Sequence, residues 1–134
     1  MDESTIREVL EKSKVIAVVG LSPKSDRPSH RVGAYLKNQG YRIIPVRPAA
    51  DEILGEKAYS SLKAIPQDIQ VDVVDVFRKS EDVPPIVEQA IEIGAKAIWL
   101  QEGIVNEEAA QKARAAGLKV VMDLCMLKEH KRFM

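Results

Sequence analysis

The sequence predicts a doubly wound α/β fold, in which helices cover both faces of a parallel sheet. Five short apolar runs recur at 15–20, 41–47, 72–77, 97–101 and 118–123. Continuous apolar runs of this length are typical of strands that are buried on both faces. Helical patterns with their own start and stop signals separate the runs. Such alternation indicates a three-layer parallel sheet, because right-handed crossovers pack back onto the sheet.

The composition is typical of one globular domain, expected to span residues 1–134. The chain is 46% hydrophobic and 30% charged, and 20 Lys plus Arg balance 20 Asp plus Glu. A net charge of zero supplies no overall field for nucleic acid or an anionic membrane. The lone Cys125 cannot form an internal disulfide, and Cys and His are not clustered as metal ligands. No apolar run approaches the roughly 18–20 residues of a membrane span. We therefore expect a cytoplasmic protein without a metal site, a nucleic-acid partner or a membrane partner.

The helices are predicted, in chain order, from capping residues and stop signals. Thr5 followed by Glu8 has the spacing of a capping box for a first helix. Ser29 is predicted to cap a second helix, which Gly40 ends. Pro84 and Pro85 are predicted to lie in the first turn of a third helix. Asn106 is the predicted N-cap of a fourth helix, which Gly117 ends, and the segment 124–133 is predicted to form the last helix.

The segment 48–70 gives the weakest pattern of the chain. Residues 57–59 predict a short edge strand, and residues 60–64 predict a turn of helix. With that strand counted as the third, the expected strand order is 3-2-1-4-5-6. In such sheets ligands bind beyond the carboxyl ends of the strands, where neighbouring crossovers leave to opposite faces. The end of the first strand is therefore the predicted site.

The loop after the first strand has the residues of a phosphate site. Gly20 allows the backbone to turn close to a ligand, and the start of the next helix offers amides and a positive dipole end. The loop is longer and more basic than the dinucleotide fingerprint G-x-G-x-x-G, of which it keeps only Gly20. This favours a more highly charged ligand over NAD. The donors suited to a diphosphate are Ser22, Lys24, Ser25, Arg27 and Ser29.

The end of the second strand carries Arg47 followed by Pro48. NAD-binding domains usually place an acidic residue near this point for the ribose hydroxyls. A cation suits a phosphorylated ribose instead, and both NADP and coenzyme A (CoA) contain one.

Four blocks of sequence resemble a known family. They are VVGLSPKSDRPSHRVG, PVRPAADEILGEKAYSSL, DVVDVFR and AIWLQEGI, in this order. They closely resemble the stand-alone CoA-binding proteins, which are relatives of the CoA-binding N-terminal domain of succinyl-CoA synthetase α subunits. The resemblance covers essentially the whole chain and implies a Rossmann-like CoA-binding domain with CoA as its ligand.

The resemblance also implies a role for each part of the site. The diphosphate would be held by Gly20, Ser22, Lys24, Arg27 and Ser29, with Leu21 and Pro23 between them. The adenine and the phosphorylated ribose would be bordered by Val46, Arg47 and Pro48, and the opposite side of the groove would be lined by Val76, Phe77 and Arg78. The pantetheine arm would lie near Gln101 and Glu102.

The residues favour a binding module over an enzyme. The synthetase relatives carry a catalytic phosphohistidine in a second domain that is absent from this sequence. His30 and His130 are interpreted as solvated, and neither has an acid and nucleophile partner in a known motif. Asp75, Glu102 and Asp123 are expected at strand ends, where charged residues are usual. No catalytic residue is assigned.

The expected function is non-catalytic binding of CoA or an acyl-CoA. Two alternatives stay open: an NADP-dependent oxidoreductase-like domain, and a CoA-binding subunit that completes an acyl-CoA synthetase. A homodimer or a weakly bound partner protein also stays open. Cys125 is interpreted either as a small buried hydrophobe or as a thiol that exchanges with a CoA disulfide.

Overall fold

A computed structural model describes residues 2–134, in which a five-stranded parallel sheet lies between two layers of helices. In chain order the strands are β1 Val15–Val19, β2 Arg42–Val46, the short pair β3 Glu52–Ile53 and β4 Glu56–Lys57, β5 Val73–Val76, β6 Ala97–Leu100 and β7 Lys119–Met122. The sheet has the order β2-β1-β5-β6-β7. Val19 is in register with both Val46 and Val76, so that neighbouring strands end at one edge. The predicted Rossmann-like α/β class is confirmed.

The helices pack against two hydrophobic cores, one on each face of the sheet. They are α1 Glu3–Lys12, α2 Pro28–Asn38, α3 Val83–Glu92, α4 Glu107–Ala115 and α5 Met126–Phe133. One core buries Leu10, Leu36 and Met126 of α1, α2 and α5. The other buries Ala90 of α3 and Ala113 of α4. Since α2 follows β1 on one face and α3 follows β5 on the other, the crossovers leave to opposite faces beside these two central strands.

Two of the predicted helix caps are wrong, and one is confirmed. The side chain of Asp2 caps α1 by accepting a hydrogen bond from the amide of Ser4 at 3.0 Å, so Thr5 lies inside the helix. Ser29 also lies inside its helix, because Pro28 has a backbone angle suited to the first turn and no N–H to satisfy. Asn106 does cap α4, through a 3.0 Å hydrogen bond from the amide of Ala109.

The predicted order 3-2-1-4-5-6 is wrong, because the third strand does not form. Residues 57–59 pair with the five-stranded sheet through a single parallel bridge, between Tyr59 and Val46. The Tyr59 amide donates to the carbonyl of Pro45, and its carbonyl accepts from the amide of Arg47. The preceding residues form the antiparallel hairpin β3–β4, which uses their backbone groups. The predicted turn of helix after it is present as a 3-10 helix, Leu62–Ala64.

Within residues 2–134, no helix has the length and apolar character needed to cross a bilayer. Over the same residues, no cluster of three His, Cys, Asp or Glu side chains is placed to hold a metal ion.

Candidate functional site

A groove made of three connected cavities opens at the carboxyl ends of β1, β2, β5 and β6. The loop cavity, about 410 Å³, is lined by the chain that leaves β1. The edge cavity, about 270 Å³, lies towards β2 and α3. The distal cavity, about 400 Å³, lies towards β6 and the start of α5. Gly20 borders the first two cavities and Arg78 borders the edge and distal cavities, so the three form one continuous surface.

Most of the predicted site residues line this groove. There are three exceptions: Leu21 and Val76, whose side chains are fully buried in the hydrophobic cores, and Ser25, which is exposed and borders none of the three cavities. The loop cavity is bordered by Gly20, Ser22, Pro23, Lys24, Arg27, Ser29, Arg47 and Phe77, the edge cavity by Val46, Pro48 and Arg78, and the distal cavity by Gln101 and Glu102.

Gly20 is needed because the chain after β1 passes directly against the chain after β5. Its φ is +89°, in the left-handed region that favours glycine. A Cβ at this position would lie 2.7 Å from the carbonyl oxygen of Phe77. Gly20 therefore lets the chain after β1 pass against the protein's own backbone at the border of the loop and edge cavities, and the close approach of a ligand to Gly20 stays a prediction.

Hydrogen bonds within the loop fix the positions of Ser22 and Ser29. The Ser22 amide donates to the Ser29 hydroxyl at 2.9 Å, and the Lys24 amide donates to the Ser22 hydroxyl at 3.1 Å. His30 Nδ1 lies 2.9 Å from the Ser22 carbonyl oxygen, so this half-buried ring braces the loop, and its interpretation as solvated was wrong. Each serine hydroxyl still has its own hydrogen to donate.

The loop cavity keeps a surplus of donors and positive charge. The amides of Ser29 and His30 in the first turn of α2 donate to no oxygen within residues 2–134, as is usual at a helix start. Exposed Lys24 and Arg27 have no carboxylate partner over this same range. The guanidinium of Arg47 lies 3.5 Å from the Leu21 carbonyl oxygen. The arrangement is suited to an anion with several oxygens.

The edge cavity contains residues that the sequence reasoning missed. Its wall combines apolar side chains with hydroxyl and amide groups that can bind a flat heterocycle. The available signal was Pro85 in the first turn of α3, the next α-helix after β5 in the chain. The residues not predicted are Val19, Ser60, Ser61, Leu62, Asp82, Pro85, Ile86 and Gln89. Arg78, on the border of this cavity, forms a 3.2 Å ion pair with Asp82.

Gln101 borders the distal cavity, and both polar atoms of its side chain are hydrogen-bonded to the protein. Its Nε2 donates to Asp75 Oδ1 at 2.5 Å, and its Oε1 accepts from the amide of Met126 at 3.4 Å. Asp75 lies inside β5, in register with Val18 and Trp99, and is fully buried. Burial raises the pKa of the Asp75 carboxyl to about 7, and the hydrogen bond from Gln101 opposes this shift. Half-buried Cys125 also borders the cavity, and its exchange with a CoA disulfide stays a prediction.

The three carboxylates do not form an acid–base pair. Asp75 is held by Gln101, Glu102 forms a 3.1 Å ion pair with Lys128, and Asp123 accepts from the Gly103 amide at 2.7 Å.

The interpretation of His130 as solvated is wrong. Its ring is buried, and Nδ1 lies 2.8 Å from the hydroxyl of Tyr35. Burial lowers the pKa of His130. This histidine belongs to the packing of α5 on α2 and not to the groove.

Comparison with known proteins identifies the family. Residues 14–131 match the family described as CoA binding domain. The chain belongs to this CoA binding domain family. Over 128 residues it is 49% identical to the uncharacterized protein YneT of Bacillus subtilis, covering 96% of this chain and 93% of YneT. A solved structure of a hypothetical protein from Pyrococcus horikoshii superposes with a TM-score of 0.93 at 44% identity, covering 99% of this chain and 92% of that protein chain.

The CoA binding domain also occurs inside larger proteins. ADP-forming acetate–CoA ligase I of Archaeoglobus fulgidus is 28% identical over 123 residues. The match covers 84% of this chain and 18% of the ligase, so the chain spans less than a fifth of that relative.

Proposed function

We propose that this protein binds CoA or an acyl-CoA in the groove and catalyses no reaction by itself. The observation that carries the proposal is the loop cavity, where Lys24 and Arg27 have no carboxylate partner within residues 2–134 and the first amides of α2 are free. A diphosphate offers several charged oxygens and fits these donors better than a neutral ligand does. Membership of the CoA binding domain family supports the choice of ligand.

The two other cavities suit the two ends of CoA. The edge cavity has apolar walls for the adenine ring, with Ser60 and Gln89 available for its nitrogens. Arg47 borders the loop cavity, and the next residue, Pro48, borders the edge cavity. The Arg47 guanidinium therefore provides a cation for a phosphate on the ribose. The distal cavity would receive the pantetheine arm.

The absence of catalysis is proposed from the contacts of the reactive side chains. Within residues 2–134, the two acidic side chains that line the groove are ion-paired, Glu102 with Lys128 and Asp82 with Arg78. The two other candidates lie outside the lining and are hydrogen-bonded, Asp75 to Gln101 and His30 to the Ser22 carbonyl. None of the hydroxyl or thiol groups that line the three cavities is hydrogen-bonded to a histidine, lysine or carboxylate side chain within residues 2–134.

Calorimetry with CoA, dephospho-CoA, NADP and NAD tests the proposal. CoA should bind most tightly, and dephospho-CoA should bind more weakly because it lacks the 3′-phosphate. Replacing Lys24 and Arg27 together by Ala should weaken CoA binding by about 100-fold or more, since each loses a charge-assisted contact worth about 1.5–3 kcal/mol. The matched control replaces Lys112 and Arg114 on α4 by Ala, which removes the same charge away from the groove and should leave affinity unchanged. Tight NADP binding without CoA binding would overturn the proposal, as would equal losses in both double variants.

A second candidate is a CoA-binding subunit that completes an acyl-CoA synthetase, and the similarity to acetate–CoA ligase I favours it. If this is correct, the protein should co-purify with a partner that supplies the remaining ligase domains. A mixture with that partner should form acetyl-CoA from acetate, ATP and CoA, and the isolated chain should not. Purification of the chain alone from its native source would count against this second function.

A further inference from the structure

The orientation of the Gln101 side-chain amide is fixed from both ends. Met126 offers an N–H, which only the amide oxygen can accept, and this leaves the amide nitrogen to donate to the carboxyl oxygen of Asp75. If the amide were flipped, its oxygen would face a carboxylate oxygen and its nitrogen would face an N–H. The polarity of Gln101 is therefore set by the protein before any ligand arrives.

Gln101 keeps one donor free on the wall of the distal cavity. Its Nε2 has two hydrogens, and Asp75 takes one of them. The other hydrogen meets no acceptor among residues 2–134. The surrounding wall is largely apolar, with Val32, Phe77 and Ile104. The partner that fits is a hydrogen-bond acceptor carried on an otherwise apolar chain.

The fold alone does not account for Asp75. The residue lies in the central strand β5 among Val73, Val74 and Val76, and Oδ2 has no hydrogen-bond partner within the described chain. Burying a carboxyl group with only half of its hydrogen-bonding capacity satisfied is costly, and an apolar residue would pack there without that cost. Its one polar contact is to Gln101, which indicates that holding Gln101 is its role.

We propose that Asp75 is a positioning residue that holds Gln101 so that its amide donates to a carbonyl oxygen on the ligand's arm. This inference rests on the proposed function. The carbonyl is either an amide of the pantetheine arm or the thioester of an acyl group, because both present the same acceptor on an apolar chain.

The test compares three ligands by calorimetry: 3′-phosphoadenosine 5′-diphosphate, which is CoA without the arm; CoA, which has the two arm amides; and acetyl-CoA, which adds the thioester. Gln101→Leu should weaken CoA binding roughly three- to tenfold, the effect of one hydrogen bond, and leave the armless ligand unchanged. An equal loss for CoA and acetyl-CoA assigns the contact to an arm amide, and a larger loss for acetyl-CoA assigns it to the thioester. No loss for either ligand, or an equal loss for the armless one, overturns the inference.

The role of Asp75 is tested by a conservative and a non-conservative variant. Asp75→Asn keeps an acceptor for Gln101 and should retain arm-dependent affinity, whereas Asp75→Leu should lose it as Gln101→Leu does. Equal affinities in these two variants would show that Asp75 does not position Gln101. If Asp75→Leu does not fold, the ¹⁵N side-chain resonance of Gln101 decides instead: in the wild-type protein it should shift with CoA and stay in place with the armless ligand. A wild-type protein that binds neither ligand refutes the proposed function itself, and one that binds both equally refutes only this inference.

Discussion

The buried carboxyl of Asp75 should make the protein less stable as the pH rises through neutrality. The pKa of this group is about 7 in the folded chain, compared with an ordinary value of 3.8, because burial disfavours its charged form. Between these two pH values the native state binds more protons than the unfolded state, so the stability supplied by the neutral carboxyl is present at low pH and is lost as pH rises. Integrating this difference in bound protons over pH gives a loss of about 2–3 kcal/mol in the free energy of unfolding between about pH 5 and about pH 8.

Asp75→Asn removes this titration and keeps the shape of the side chain. The buried amide carries its own cost of about 1–3 kcal/mol for an unpaired N–H, but that cost does not change with pH. Urea unfolding of both proteins across this range should therefore give free-energy curves that differ in slope, with the variant gaining on the wild type as pH rises. Asp68→Asn, at an exposed carboxyl, serves as the control and should run parallel to the wild type. Parallel curves for Asp75→Asn would refute the reasoning.

Two further perturbations test the packing of the groove and of α5. Gly20→Ala should destabilise the fold more than Gly40→Ala in thermal unfolding. Both glycines have a positive φ, but only a Cβ at position 20 would meet backbone, 2.7 Å from the Phe77 carbonyl oxygen, whereas a Cβ at position 40 would have nothing within 4 Å. Equal losses of stability in the two variants would show that φ alone matters. Burial lowers the pKa of His130, so the wild type should lose stability relative to His130→Gln as the pH falls through the ordinary value of 6.5, because the unfolded histidine takes up a proton more readily than the buried one. A constant difference between these two proteins on both sides of that pH would contradict the assignment.

The fold class was predictable because it depends on patterns that are local in sequence. The apolar runs fall on strands whose two faces are covered, and a strand buried on both sides leaves a continuous signal. The cap at Asn106 was predictable for the same reason, since its hydrogen bond reaches only three residues ahead. The predicted third strand failed because nothing local distinguishes residues 57–59 in a sheet from the same residues leaving a hairpin, where a single bridge at Tyr59 is all that remains.

The site was predictable where its residues lie in one loop and not where they depend on distant contacts. The residues from Gly20 to Ser29 follow one strand and are recognised together. In contrast, Asp75 and Gln101 belong to different strands, and their hydrogen bond follows from the register of β5 with β6. His130 was read from its charged neighbours in sequence, although its surroundings are Tyr35 and Tyr41 from other elements.

The contact of Tyr59 with β2 also protects the chain against self-association through its sheet. Strand β2 lies at one end of the sheet, and the backbone groups of an end strand can template a strand from another molecule. Here the Pro45 position lacks the N–H that such pairing needs, and Tyr59 occupies the Pro45 carbonyl and the Arg47 amide beside it. A loop that fails to become a strand thus blocks strand addition at the β2 end of the sheet, and it does so next to the groove without covering it.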